Sequence, residues 1–307
     1  MRIFDTYKRY KIAYNNSLSV MFSVYRKKDV IRVKLKDGSL RNWRIDWVWD
    51  YASLDVHSHS FDELKNFMDS FLKYIEEKRD YLEITYKDHI IKLSGVYDNG
   101  DLFGVFFRED YKFLNPENSI VIDIGANIGD TPIYFALNNA RKIIALEPYP
   151  YSYNYALKNI EMNSLNDKIT LLNAGYGNET EIKINKNKIT NGLTFLTPEE
   201  NGLKIIKLYS LKTLLGEYNI NEAILKMDCE GCEYNLLNEE NGTLRKFKRV
   251  ELEFHYGYRN LESKLREAGF IVSHSNVLKS GGKDPILKKM AKENRDYTFG
   301  LLYAERV

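Results

Sequence analysis

The pattern of apolar and polar positions changes character about a third of the way along the chain. In the first hundred residues, 30–36 and 81–93 alternate apolar with polar, the period of half-buried strands. Between them Leu64, Phe67, Met68, Phe71, Leu72 and Ile75 recur at three- and four-residue spacing, which puts them on one face of a helix over 61–78. These stretches predict a small mixed α+β unit. After Asn115-Pro116, short apolar runs alternate with helical stretches; the runs fall at 120–124, 142–146, 169–172, 223–227, 249–254, 270–273 and 298–304. Apolar strands separated by helices predict a parallel sheet covered on both faces. The expected organisation is an N-terminal α+β domain over residues 1–116 and an α/β domain over 117–307. The boundary is soft, because Val105 to Phe107 fits either part.

Composition changes this picture only locally. With 307 residues, 44% of them hydrophobic, the chain can bury real cores, which excludes disordered and fibrous classes. The net charge of +2 argues for no polyanionic partner by itself. The first 44 residues, however, carry 12 basic and 3 acidic side chains. No window approaches the roughly 18 apolar residues of a membrane span, and the first dozen residues lack the apolar run of a secretory signal. Cys229 and Cys232 are too few for a disulfide framework, which agrees with a reducing compartment. A cytoplasmic protein is expected.

In a doubly wound sheet, ligands sit outside the carboxyl ends of the strands, where strand order reverses. The first run ends in Asp123-Ile124-Gly125-Ala126-Asn127-Ile128-Gly129, a strand that turns through two glycines towards a helix expected to start at Pro132 with Thr131 as its cap. Asn127 stands where a dinucleotide loop would have its second glycine, and no Lys-Ser/Thr pair follows as in a phosphate-binding loop. An acid at the strand tip repels phosphate and attracts a cation, so a sulfonium nucleoside, S-adenosylmethionine, suits the loop. The second run ends in Glu147, 24 residues after Asp123, close to the roughly 20-residue interval at which a βαβ unit offers an acid to ribose hydroxyls. Tyr149 or Tyr151 could wall the adenine, and Asn173 could meet its edge.

The segments DIGANIGDT, ALEPYPYSYNYALKNIEMN and LKMDCEGCEY resemble the FkbM-type family of S-adenosylmethionine-dependent methyltransferases over about half of the chain. The resemblance implies a Rossmann-like class I methyltransferase sheet of seven strands with the last antiparallel. It also implies donor-binding roles for Asp123, Gly125, Asn127, Gly129 and Glu147. The family's D-x-E-G-x-E segment is matched by Asp228-Cys229-Glu230-Gly231-Cys232-Glu233, and the resemblance places Asp228 and Glu230 beside the transferred methyl.

Methyl transfer needs a base only where the acceptor must lose a proton, as a hydroxyl must. The fifth run puts Glu251, Glu253 and His255 on one face, and His255 at the strand tip is the first candidate base, with Glu253 competing. Cys229 and Cys232 lack the further ligands that zinc requires, so no metal ligands are assigned. A hard divalent cation held by Asp228, Glu230 and Glu253 is the alternative left open. The leading functional expectation is O-methylation of a hydroxyl on a small molecule or glycan, the hydroxyl preference coming from the resemblance. Two alternatives stand beside it. One is an RNA methyltransferase using Arg26, Lys27, Lys28, Arg32, Lys34, Lys36, Arg41 and Arg44, interleaved with Tyr25, Trp43, Trp47 and Trp49, as a binding platform. The other is a non-catalytic nucleoside-binding interaction domain. A further basic stretch at 279–295, with Gly281-Gly282 inside it, reads as a lid or acceptor loop.

Overall fold

A computed structural model describes residues 13–28, 30–36, 38–45, 75–77, 81–95, 102–178, 180–186, 204–279 and 298–306, together with positions 7, 10, 11, 48, 188, 196 and 198. Trp47, Trp49, Gly281-Gly282 and most of the stretches expected as a helix (61–78) and as a lid (279–295) lie outside these residues. The chain forms two compact units, one of residues 1–77 with 83–86, the other of 78–82 with 87–307.

In the first unit, helix α1 (Ser17–Tyr25) precedes an antiparallel pair, β1 (Val30–Lys34) and β2 (Leu40–Arg44). The alternation read from the sequence holds along β1. Ile31 and Val33 are buried with Tyr10, Tyr14 and Trp43, while Arg32 and Lys34 face out. Trp43 stands opposite Ile31 in the pair, under the basic face rather than on it. Strand β3 (Ile75–Glu77) occupies the end of the expected helix, so at these three residues strand replaces helix. Strands β4 (Leu82–Tyr86) and β5 (His89–Leu93) follow along the chain.

The second unit carries α2 (Leu102–Phe106), a 3-10 turn at Asp110–Leu114, β6 (Ile120–Ile124), α3 (Asp130–Leu137), β7 (Lys142–Leu146), α4 (Pro150–Met162) and β8 (Ile169–Leu172). After them come β9 (Ala174–Tyr176), β10 (Glu181–Ile184), β11 (Lys204–Tyr209), α5 (Leu211–Glu217) and β12 (Ala223–Met227). The chain ends with a 3-10 turn at Cys232–Asn238, α6 (Asn241–Leu244), β13 (Phe247–Phe254), α7 (Arg259–Glu267), β14 (Ile271–His274), β15 (Leu278–Lys279) and β16 (Thr298–Glu305). Its main sheet runs β14-β16-β13-β12-β6-β7-β8, with β16 antiparallel to both neighbours and β15 pairing β16. This is the α/β, Rossmann-like class I methyltransferase sheet expected from the sequence. Four of the seven apolar runs coincide with strands residue for residue.

Burial explains the pattern. All five residues of β12 are buried, as are four of five in β6 and in β7, so these strands have no polar face to alternate. A second small sheet, β10-β11-β9, was not anticipated. The boundary drawn at residue 116 falls inside the second unit. Phe106 and Tyr111 set their rings against Tyr134 (6.2 Å) and Phe135 (6.0 Å) of α3, which ties the 102–114 stretch to the sheet's core. Strands β6, β7 and β8 run outward in one direction, and β12 then returns beside β6. Strand order reverses between β6 and β12, and the site lies at their carboxyl ends.

Candidate active site

Two strand tips meet closely at this reversal. A Cβ on Gly125 would lie 1.8 Å from the Asp228 carbonyl oxygen, and Gly125 has φ +82°, so the backbone there accepts only glycine. Asn127 is left-handed too (φ 46°), a conformation its short amide side chain tolerates. Helix α3 starts at Asp130 with Gly129 at its N-cap (φ 86°), two residues earlier than expected. Thr131 is no cap: its hydroxyl donates to Asp123 Oδ2 at 2.6 Å.

The expectation that Asp123 offers its charge to a sulfonium is corrected. Its carboxylate is fully buried, and Lys226 Nζ stands 3.1 Å from Oδ1 while donating to the Gly125 carbonyl at 2.7 Å. The charge is answered inside the protein, and Asp123 is absent from the cleft lining. Burial alone would lower the Lys226 pKa, but Asp123 and Asp228 outweigh it and raise it. Burial pushes the neighbouring Asp130 carboxyl up to about 6 against the pull of Lys226.

A cleft opens over these tips. Gly125, Asn127 and Glu147 line one side, Tyr149 and Ser152 flank them, and Asp228 and Glu230 line the other. Glu147 accepts from the Asn127 N–H (3.0 Å, Oε2) and the Tyr149 N–H (2.9 Å, Oε1), which fixes the carboxyl in place. One oxygen keeps a second lone pair and the other can carry the carboxyl's proton, so the group can accept from one ligand hydroxyl and donate to another. Burial pushes this carboxyl up to about 8, although both backbone donors pull it down. Tyr149 is buried at the cleft wall with Lys188 Nζ 5.0 Å from its ring centroid. Tyr151 packs against Tyr155 and does not line the cleft. Asn173 also departs from its expected place. Its Nδ2 donates to the carbonyls of Glu147 (2.9 Å) and Pro148 (3.0 Å) and its Oδ1 accepts from Lys204, so the amide pins the loop instead of lining the cleft.

At the far side the acids gather around one imidazole. His255 Nδ1 is 2.9 Å from Glu233 Oε1, and its Nε2 is 3.2 Å from Glu230 Oε2 and 3.9 Å from Glu253 Oε1. Glu233 is fully buried and also accepts from the backbone N–H groups of Gly231 (2.8 Å) and His255 (3.2 Å). Burial alone would lower the imidazole, but Glu233 and Glu230 outweigh it and hold it well above 6.5, as a cation at neutral pH. Burial raises the Glu230 carboxyl against the pull of His255. Asp228 accepts from the Tyr111 hydroxyl at 3.3 Å. Asp228, Glu253 and His255 each place one potential metal-ligand atom within 4.8 Å of the others. Cys229 and Cys232 are joined by a disulfide.

Lys226, Glu233 and Tyr111 escaped the sequence reading. A lysine inside the otherwise apolar run Ala223 to Met227 was the available signal for the first. Glu233 lay within a quoted motif but could be matched to His255 only in three dimensions. Tyr111 carried no signal.

A doubly wound sheet with a glycine turn and a buried acid at its reversal point is the arrangement of a class I S-adenosylmethionine-dependent methyltransferase. Residues 123–272 match the family model for the methyltransferase FkbM domain, and this stretch is a domain of that family. Methyltransferase sdnD of Sordaria araneosa is 26% identical over 212 residues, covering 56% of this chain and 82% of that protein. A tRNA(Phe) (4-demethylwyosine(37)-C(7)) aminocarboxypropyltransferase of Methanocaldococcus jannaschii is 36% identical over 66 residues, 21% of this chain and 26% of its own length. Among solved structures, M. jannaschii TYW2 in complex with AdoMet superposes with a TM-score of 0.37 at 15% identity, covering 76% of this chain and 89% of that one.

Proposed function

We propose that the protein moves the methyl group of S-adenosylmethionine to a hydroxyl oxygen on a small molecule or glycan, with Glu230 as the base. The observation that carries this reading is Glu230 itself, a carboxylate on the cleft wall backed 3.2 Å away by the cationic ring of His255.

The residues present fit the donor. Glu147, pinned by two backbone N–H groups, has one accepting and one proton-bearing oxygen for the two ribose hydroxyls, and Gly125 keeps the strand-tip backbone clear of side-chain bulk. Asn127 and Gly129 set the turn that carries the Asn127 N–H to Glu147, and Tyr149 supplies an aromatic wall. Asp123 and Asn173 act one layer back, the first by holding Lys226 under the Gly125 carbonyl and the second by holding the Glu147-Pro148 backbone. Bound there, S-adenosylmethionine supplies an electrophilic methyl on a sulfonium.

Glu230 would take the acceptor's hydroxyl proton as the oxygen bonds to the methyl carbon and the carbon–sulfur bond breaks, the neutral thioether leaving with the electron pair, and would then release that proton to water in the open cleft. Its raised pKa makes it a stronger base than an exposed carboxylate. His255 is a positioning cation here, since a ring already protonated cannot accept. Glu233 holds that ring, and alignment of the reacting atoms supplies much of the rate.

A polyanionic RNA acceptor is less well supported. Asp228, Glu230 and Glu253 would repel phosphate, and Trp43 is buried beneath the basic strands instead of being exposed for stacking. The test is transfer of labelled methyl into separated metabolite, glycan and RNA pools. Label in the first or second supports the reading, whereas label in RNA with steep salt dependence overturns it. Heat on donor titration without transfer to any pool would favour the non-catalytic interaction domain.

A further inference from the structure

The chain has only two cysteines, and they are bonded to each other across the loop that carries the proposed base. Both half-buried sulfurs line the cleft, within reach of a small dithiol. Between them Glu230 and Gly231 both have positive φ, 54° and 107°. A left-handed conformation is disfavoured for a residue other than glycine, so Glu230 stays in that shape only under restraint. Two restraints act on the loop. The bridge ties its ends, and Glu233 accepts the Gly231 N–H at 2.8 Å. The Cys229 sulfur lies 3.7 Å from the same Glu233 oxygen, where a thiol S–H would compete with the Gly231 N–H for that acceptor. Opening the bridge therefore loosens both restraints together.

We propose that Cys229–Cys232 is a reversible redox modification site whose bridged form holds Glu230 against His255 and whose dithiol form releases it. The effect on turnover rests on the methyltransferase reading above; the effect on His255 does not. Reduction takes two electrons and two protons from a dithiol, which itself becomes a cyclic disulfide, while the protein's S–S bond breaks into two thiols. Glu233 Oε2 stands 3.7 Å from the Cys229 sulfur and disfavours a thiolate there, and a dithiol, whose second thiol resolves the mixed disulfide by cyclising, suits the bridge better than a monothiol.

The experiment follows the His255 ring by NMR in full-length protein labelled at histidine nitrogen, its signal assigned by loss in His255→Gln. The ring faces Glu230 from the loop, Glu233 from the 3-10 turn, Asp228 from the end of β12 and Glu253 from its own strand. In the oxidised protein the ring should stay cationic well above pH 6.5. After dithiothreitol, with two free thiols counted by maleimide mass shift, its midpoint should fall by about one unit, the equivalent of a tenfold loss in proton affinity. Reoxidation should restore it. Cys229→Ser/Cys232→Ser should titrate like the reduced protein and ignore dithiothreitol; if that variant does not fold, the wild-type comparison stands alone. Identical titrations with two thiols counted would overturn the proposal, as would a bridge that resists dithiothreitol in the folded protein. Methyl transfer should fall roughly tenfold on reduction with donor affinity unchanged. A moving midpoint without donor binding or transfer in either state would keep the redox coupling and remove the methyltransferase reading.

Discussion

Lys226 Nζ lies 3.1 Å from Asp123 Oδ1 in a pair whose side chains are 1% and 0% exposed. The lysine comes from β12 and the aspartate from β6, so the pair joins the two strands at which sheet order reverses. Removing one partner leaves an uncompensated buried charge. Lys226→Met should cost about 3 to 5 kcal/mol in urea unfolding, while Lys226→Met/Asp123→Leu should recover much of it. A single variant within about 1 kcal/mol of wild type, roughly the scale of one hydrogen bond, would show that the remaining partner is not left as an uncompensated buried charge.

Glu147→Ala should weaken donor binding by about 1 to 3 kcal/mol through lost ribose hydrogen bonds, read by calorimetry. Glu147→Gln, which keeps an acceptor oxygen, should lose less. Equal affinity in all three proteins would remove Glu147 from the donor site.

Glu230→Gln should lower turnover by roughly a hundredfold, the range of one general base, with donor affinity unchanged. In wild type the rate should rise as pH passes the Glu230 midpoint, which burial sets above 4.5, and fall again where His255 loses its proton, well above 6.5. A profile rising through 6.5 without a later fall would restore His255 as the base.

Glu251 is fully buried in β13, and neither carboxylate oxygen has a hydrogen-bond partner among the described residues. Burial, helped by Asp110 and opposed by Lys226, raises its pKa well above 4.5. A raised carboxyl favours the folded state below its unfolded midpoint and loses that contribution as pH rises. Glu251→Gln should therefore stabilise the protein at neutral pH by about 1 to 3 kcal/mol, and the gain should vanish below about pH 4. An equal change at both pH values would mean the carboxylate's charge is not the cause.

Asp228, Glu253 and His255 bring potential ligand atoms within 4.8 Å of one another, but a ring held as a cation between Glu233 and Glu230 has no free lone pair to give a metal. Excess chelator should leave donor binding and turnover unchanged. A loss reversed by magnesium or manganese would support the divalent cation that the sequence left open at Asp228, Glu230 and Glu253.

The sequence by itself determined the sheet. Strands buried on both faces must be continuously apolar, so 120–124, 142–146, 169–172 and 223–227 were readable to the residue, and the glycine turn and Glu147 fell where strand ends put them. It did not determine charge partners, because electrostatic pairing depends on distance through space. Asp123 looked like a ligand for a cation until Lys226, 103 positions later, was found beside it. His255 looked like a neutral base until Glu233 and Glu230 closed on its two nitrogens. Tertiary structure decided those protonation states, since burial strengthens each interaction and selects which neighbour answers which charge.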